Sequence, residues 1–370
     1  MRVLMTGGGT SGHVNPAIAI AESIKLNFPG SEIAFVGTPR GIENKTVPAA
    51  GYKLYHVDVR GIRRSLSPAN IRAAYLALTS PYRAKKIIKE FKPDIVIGTG
   101  GYVSWPVCKA ASMMGVPCML HEANAYPGVA VRMLSGCVDK ILLNFDKSAE
   151  YLKCPKEKLV TVGNPLRNGF TPPADIREAK KAIGADGYEK MILSYGGSLG
   201  AQYVNEAVLA MMRDYTKKHP EVLHVHAVGS IELADATKMF NDYGLADAPN
   251  IKLLEYIYDM PAQMAAADLL ICRAGAMTIS EVAMMQKPTI FIPSPNVTEN
   301  HQYKNARVLE EKGAAVIIEE KDLDGGKRLT EVASGLLEDE SGRVEMGCRA
   351  GEFAVTDANR LIIEEIRKLV

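Results

Sequence analysis

Short apolar runs recur along the chain, most of them unbroken by polar positions, with stretches of helical periodicity between them. In the first half they are RVLMT (2–6), EIAFVG (32–37), DIVIGTGG (94–101), VPCMLHE (116–122), DKILLNF (139–145) and LVTVGNP (159–165). The second half repeats the pattern with MILSYGG (191–197), VLHVHAVG (222–229), NIKLLEY (250–256), DLLICRAG (268–275), PTIFIP (288–293) and AAVIIEE (314–320). A continuous apolar run predicts a parallel strand covered on both faces. Strand and helix in alternation predict doubly wound α/β sheets. The first helix carries Val14, Ala17, Ile18, Ala21, Ile24 and Phe28 on one stripe, with Pro16 placed in its opening turn.

Each half opens with a strand, a glycine-rich turn and a helix, and 370 residues are too many for one ordinary core. The stretch GNPLRNGFTPPADI (163–176), rich in Gly, Pro and Asn, reads as the linker between the halves. The expected architecture is two Rossmann-like domains of the α/β class, each a doubly wound parallel sheet, facing a central cleft. Helical periodicity returns in DANRLIIEEIRKLV (357–370), with Leu361, Ile362, Ile366 and Leu369 on one face. Spacing alone does not decide which domain that helix packs on.

Composition narrows the class. A hydrophobic share of 47% beside 23% charged residues is globular, and a formal charge of +2 gives no bulk drive toward nucleic acid. The six cysteines lack any C-x-x-C pair and read as reduced core residues of a cytoplasmic protein. Met1 runs straight into a strand, which leaves no room for a signal peptide, and no apolar stretch reaches the length of a membrane span. One charge feature stands apart. Between Asp58 and Glu90 no acidic residue occurs, yet Arg60, Arg63, Arg64, Arg72, Arg83, Lys85, Lys86 and Lys89 do, interleaved with Ile62, Leu66, Ile71, Tyr75 and Leu78. Such a segment is either solvated charge or a surface for anionic lipid headgroups, where each basic residue contributes ~1 kcal/mol.

Candidate chemistry gathers in the turns. In TGGGTSGHVNP (6–16), Gly7, Gly9 and Gly12 satisfy the G-x-G-x-x-G pattern, which any close-packed strand–turn–helix also favours. A dinucleotide site wants a carboxylate at the end of the second strand, and that place reads Gly37, Thr38, Pro39, Arg40. Arg40 suits the 2′-phosphate of NADP, so a dehydrogenase stays open on these residues. Thr10, Ser11 and His13 instead crowd hydroxyls and an imidazole onto a helix N-terminus that already favours an anion; His13 also fits a helix-start residue bonded to nearby backbone. YGGSLGAQYVN (195–205) repeats the device with Ser198.

In CRAGAMTISE (272–281), small residues let a ligand approach the backbone, and Glu281 suits two ribose hydroxyls or, equally by position, a first-turn dipole partner. PNVTENHQYKNA (295–306) offers His301 and Gln302 near a helix start, where an amide fits neutral sugar hydroxyls. GTGGYVSWPV (98–107) is a third glycine loop, and LHEANAYPG (120–128) places His121, Glu122 and Asn124 at a strand end without metal-ligand spacing.

Together these segments resemble the MurG family, the bacterial peptidoglycan N-acetylglucosaminyltransferases that convert lipid I to lipid II. GGTSGHVNP, GTGGYVS, HEAN, GNPLR, GGSLGA, CRAGAMTISE and NHQYKNA stand in family order along essentially the whole chain. Milder departures are Ser11 where glycine is common, Leu199 where glutamine is common, and Trp105 where a small residue is frequent.

The resemblance implies a glycosyltransferase B-type fold, inversion at the anomeric carbon, UDP-N-acetylglucosamine as donor and undecaprenyl-diphosphate-linked muramyl pentapeptide (lipid I) as acceptor. No acidic D-x-D cluster stands in a predicted cleft loop, so neither metal nor cofactor is expected, and the charge balance predicts no nucleic-acid partner; the expected place is cytoplasmic, peripheral on the inner face of the membrane through the basic segment 60–89. By the same resemblance Thr10, Ser11 and Gly12 line the donor-sugar side, Asn124 approaches the GlcNAc, Arg167 and Ser198 bind the donor, and the Ile257 backbone reads uracil. Ala276, Met277, Thr278 and Glu281 form the sugar-nucleotide segment, with Glu281 on the ribose and Gln302 on the GlcNAc hydroxyls. The implied domains are 1–163 on the acceptor and membrane side, 164–346 for the UDP-sugar, and 347–370 returning to the first. A base is needed for the attacking hydroxyl: His13 is the first candidate, Glu122 the second. Three other readings share these features: a diacylglycerol-type lipid glycosyltransferase, a UDP-GlcNAc 2-epimerase, and a non-catalytic sugar-nucleotide sensor.

Overall fold

The computed structural model describes residues 1–59, 68–166 and 169–370, and between 68 and 78 gives only the side chain of Leu76. The chain forms two compact units, one of residues 1–167 with 355–370, the other of residues 168–354.

In the first unit, strand and helix alternate as β1 (Arg2–Thr6), α1 (Ser11–Asn27), β2 (Glu32–Gly37), α2 (Glu43–Ala49), β3 (Lys53–His56), α3 (Pro68–Phe91), β4 (Ile95–Gly98), α4 (Ser104–Met113), β5 (Cys118–Glu122), α5 (Val129–Leu134), β6 (Lys140–Leu143) and β7 (Leu159–Thr161). All seven strands are parallel, in the order β3-β2-β1-β4-β5-β6-β7. The order reverses between β1 and β4, and the turns after these two strands flank that switch point.

Both faces of the sheet are covered, as the unbroken apolar runs require. Val3, Met5, Ile95, Ile97 and Met119 join one core with α1, while Leu4, Val96, Cys118 and Leu120 join another with α3, α4 and α5. Each such side chain removed from water contributes ~1.5–3 kcal/mol, so neither face tolerates a polar residue without a partner. The segment KLYH forms an edge strand, β3, that lay outside the apolar runs: its residues are half-buried or exposed, so no unbroken pattern marks it. Pro16 falls at the sixth position of α1 and not in its opening turn.

The second unit runs α6 (Ile176–Ala182), β8 (Lys190–Tyr195), α7 (Gln202–Asp214), β9 (Val222–Ala227), α8 (Leu233–Asp242), β10 (Ile251–Leu254), α9 (Met260–Ala266), β11 (Leu269–Cys272), α10 (Ala276–Met285), β12 (Thr289–Phe291), α11 (His301–Glu310), β13 (Val316–Ile317), α12 (Lys327–Glu338) and α13 (Glu340–Gly351). Its six parallel strands are ordered β10-β9-β8-β11-β12-β13, which places the switch point between β8 and β11. Helix α13 packs on α10 and α12 and stays with this unit, so the chain rejoins the first unit at Val355 and not at 347. There Val355 fills the space over Gly163, where a Cβ would come within 2.5 Å of its own. The last helix, α14 (Ala358–Arg367), lays Ile362, Ile363 and Ile366 against α1, with Leu361 and Leu369 half-buried at the margin.

Candidate functional site

In the second unit the turns after β8 and β11 carry two helix N-termini to the switch point. Gly197 and Gly200 take positive φ (101° and 96°), a conformation that L side chains rarely adopt, and the turn they shape leads into α7. Gly200 packs against the Val228 carbonyl, and Ser230 N–H donates to the Ser198 carbonyl at 3.2 Å. That leaves Ser198 exposed at the tip, with no hydrogen bond to its hydroxyl among the described residues. Among the described residues nothing lies within 4 Å of a Cβ built on Gly197. Across the switch point Gly275 is the extended N-cap of α10, with no side-chain cap, and it is followed by Ala276, Met277 and Thr278. Neither α7 nor α10 has a capping side chain, and helix N-termini of this kind favour an anion.

Glu281 falls in the second turn of α10, so the alternative reading as a first-turn dipole partner does not hold. It lies near the end of β8: burial first, then Cys272 and Glu281, push the Tyr195 hydroxyl well above its ordinary pKa. The structure therefore gathers Ser198, Ala276, Met277, Thr278 and Glu281 at one edge of this unit. Ile257 is buried after β10, and its main-chain groups take no hydrogen bond among the described residues. Gln302 opens α11, but its Oε1 already accepts Ser294 N–H at 2.8 Å; what it offers a ligand is its amide donor. Arg167 lies outside the described residues.

The corresponding turn of the first unit is built on the same plan and filled differently. Gly9 N–H donates to Glu43 Oε2 at 3.0 Å, while the Thr38 N–H and hydroxyl donate to Glu43 Oε1 at 2.8 Å each. Glu43 is fully buried, and Gly8, Gly37 and Gly41 leave room for it: a Cβ at Gly8 would stand 2.6 Å from Oε1, and one at Gly37 2.5 Å from Cγ. Burial alone would push this carboxyl up, but the donors outweigh it and hold the pKa below the ordinary value. A carboxylate thus does stand near the end of β2, folded under the turn where the sequence suggested none. It is spent on protein donors, and Arg40 pairs with Asp58 at 3.2 Å. These contacts leave the dinucleotide reading without its ribose or 2′-phosphate partner.

His13, the third residue of α1, is fixed by Thr99: its Nδ1 lies 3.1 Å from the Thr99 carbonyl, and the Thr99 hydroxyl donates to the His13 carbonyl at 2.7 Å. A carbonyl only accepts, so the neutral ring carries its proton on Nδ1 and its lone pair on Nε2. Thr10 and Gly12 are exposed beside it, and Ser11 is half-buried.

Glu122 is buried with both oxygens engaged. Oε1 accepts Asn124 N–H (2.9 Å) and Nδ2–H (3.0 Å), and Oε2 accepts Gly128 N–H (2.8 Å). Burial still leaves its pKa raised. The geometry makes Glu122 the brace of the 123–128 loop. His121 is buried, bonds the Gly163 carbonyl at 2.9 Å, and is driven by burial to a pKa of about 4.

Sequence reasoning passed over Glu43, Arg273 and a buried chain in the second unit. Arg273 pairs with Glu320 and donates to the Ile292 carbonyl at 3.0 Å, tying the turn after β11 to its neighbours. Ser194 joins His224 (2.9 Å) and His226 (2.8 Å), and His226 Nε2 reaches Asn205 Oδ1 at 3.1 Å on α7. The signal was HVH inside an apolar strand. All six cysteines are free thiols. Among the described residues no helix is long and apolar enough to cross a membrane.

Two doubly wound parallel-sheet units, each with a glycine turn leading into a helix at its switch point, define the glycosyltransferase B-type architecture. Residues 3–143 match the glycosyltransferase family 28 N-terminal domain, and residues 191–362 its C-terminal domain. A protein of Acetivibrio thermocellus, named UDP-N-acetylglucosamine--N-acetylmuramyl-(pentapeptide) pyrophosphoryl-undecaprenol N-acetylglucosamine transferase, is 40% identical over 100% of this chain and 98% of its own. The crystal structure of Acinetobacter baumannii MurG superposes with a TM-score of 0.77 at 29% identity, covering 99% of each chain. A UDP-GlcNAc 2-epimerase from Neisseria meningitidis, solved with UDP-GlcNAc, gives 0.66 at 16% identity over 100% of both chains, a likeness of fold alone. The chain belongs to glycosyltransferase family 28, and it is a glycosyltransferase.

Proposed function

We propose that the protein transfers N-acetylglucosamine, with inversion, from UDP-N-acetylglucosamine to the C4 hydroxyl of a muramyl pentapeptide carried on undecaprenyl diphosphate. The observation that carries this reading is the contrast between the twin turns. The Ser198 turn of the second unit spends Gly200 N–H on the Gly197 carbonyl (3.0 Å), but among the described residues the Ser198 hydroxyl and the N–H groups of Gly197 and Ser198 have no partner, whereas Gly9 in the first unit already serves Glu43. The nucleotide diphosphate therefore belongs to the second unit, and the first serves the acceptor.

In the reaction the acceptor oxygen bonds to the anomeric carbon as the bond from that carbon to the UDP phosphate oxygen breaks. The hydroxyl proton passes to His13 Nε2, a group whose ordinary pKa suits neutral pH. Charge developing on UDP is met by Ser198 and the α7 N-terminus, fixed dipoles that need no reorganisation. Glu281 accepts the ribose hydroxyls, the Ile257 main chain pairs with uracil, and Ala276, Met277 and Thr278 line the sugar nucleotide. Asn124, Gln302, Arg167, Thr10, Ser11 and Gly12 complete the binding of donor and sugar.

Docking on the inner face of the cell membrane fits the basic segment 60–89. Of it, Arg83, Lys86 and Lys89 are exposed on α3 beside the exposed Tyr82; Arg60, Arg63 and Arg64 lie outside the described residues, as does the Arg72 side chain.

UDP release from UDP-N-acetylglucosamine, with and without a short-chain lipid I analogue, tests the assignment. Release that requires the analogue is expected. Release with diacylglycerol instead, an epimerised sugar nucleotide without acceptor, or binding with no release would each replace it with another reading.

A further inference from the structure

We propose that Glu43 is a positioning residue for the transfer, an internal anion that sets the turn bearing His13. The inference deepens the reaction above and rests on His13 being the base. Three donors converge on this carboxylate, and it is 0% exposed, so it touches no substrate. Its reach to Gly9 holds the residue that immediately precedes the Thr10 N-cap of α1. From there the chain passes in four residues to His13, whose main chain and ring are both clasped by Thr99.

The glycine spacing serves the same end. Gly8, Gly37 and Gly41 each leave the space that the Glu43 side chain fills, so three chain segments close around one charge. Gly7 is pressed between Thr99 and the His13 carbonyl, where a Cβ would stand 2.9 Å from that oxygen. A turn packed this closely has one arrangement, and Glu43 selects it by binding Gly9 N–H. Helix α1 has no acidic residue in its first turn and no side-chain cap, so no other group in the helix does this work. Glu43 therefore acts on the chemical step through His13, while the groups assigned to the UDP part of the donor lie in the other unit.

The test uses the full-length protein with Glu43→Gln, an isostere that sets an amide donor against either Gly9 or Thr38. We expect kcat in the UDP-release assay to fall at least tenfold, with the affinity for UDP, read by calorimetry, unchanged within twofold. In ¹⁵N NMR the His13 ring should lose its single Nδ1–H tautomer. Should Glu43→Gln not fold, Thr38→Val and Thr38→Ser replace it: Val deletes one donor to Oε1 and lowers kcat, and Ser restores it. Wild-type kcat in Glu43→Gln, equal kcat in the two Thr38 variants, an unchanged tautomer, or a loss confined to UDP affinity overturns the proposal. A His13→Ala enzyme with full turnover instead overturns the base assignment itself, so the two failures are distinct.

Discussion

Replacing Gly100 by alanine should disable His13 without touching any ligand. Gly100 sits after β4 with φ +102°, and a Cβ there would stand 2.7 Å from His13 Nδ1 and 2.9 Å from Cε1. Forcing an L side chain into that backbone region costs ~1–2 kcal/mol. The ring must also swing away from the Thr99 carbonyl, giving up a hydrogen bond worth ~1 kcal/mol. The total, roughly 2–3 kcal/mol, corresponds to a fall in Tm of about 5–10 °C for a domain of this size. The catalytic effect is larger than the stability effect suggests, because moving a reacting group by ~1 Å costs on the order of 10²-fold in rate. Single-turnover UDP release with a lipid I analogue measures the rate, and calorimetry with UDP measures donor affinity. We expect kcat down by about 10²-fold with donor affinity unchanged. Full kcat in Gly100→Ala would refute the argument that this imidazole, in this orientation, takes the proton.

Ser198→Ala should weaken UDP-N-acetylglucosamine binding by roughly 10- to 100-fold, the loss of one hydrogen bond to a charged group, and calorimetry reads it directly; unchanged affinity would move the diphosphate elsewhere. Glu122→Gln should loosen the 123–128 loop and cost about tenfold in kcat while the acidic limb of the pH–rate profile survives; disappearance of that limb would make Glu122 the base. His121 and His226 are each held near a pKa of about 4 by burial, against 6.5 in the unfolded chain. The unfolded state therefore takes up their protons first, so stability is full above about pH 6.5 and falls by ~3 kcal/mol per histidine as pH drops to about 4. Urea unfolding at pH 7 and pH 5 checks this, and equal stability at the two would contradict it.

The apolar runs named twelve of thirteen strands: in central strands such as β1, β4 and β11 burial on both faces leaves almost no exposed position, while the partly exposed edge strands β7, β10 and β13 still carry short apolar runs. β3 escaped because exposed Lys53 and His56 leave only Leu54 and Tyr55 between them, too short an apolar run to mark a strand. The glycine turns were legible for a backbone reason: Gly197, Gly200 and Gly100 take positive φ that glycine alone adopts cheaply. What the turns do was less legible. Glu43 stands six residues past the end of β2, and only the folded path of 38–43 brings its carboxylate under Gly9. The same limit applies to Glu122, a plausible base by residue type whose oxygens prove to be taken by its own loop. Pairwise chemistry of this kind depends on which hydrogen bonds a side chain has already made, and spacing does not record that.

The central claim is that a nucleotide diphosphate is held by the Ser198 turn and not by its twin in the first unit. Titrating UDP into the isotopically labelled full-length protein and following backbone amides by NMR tests it most directly. The amides of Gly197, Ser198 and Ala276 should shift with saturation while Gly9, bound to Glu43, stays still. Saturable shifts at Gly9 with none at Ser198 would contradict it.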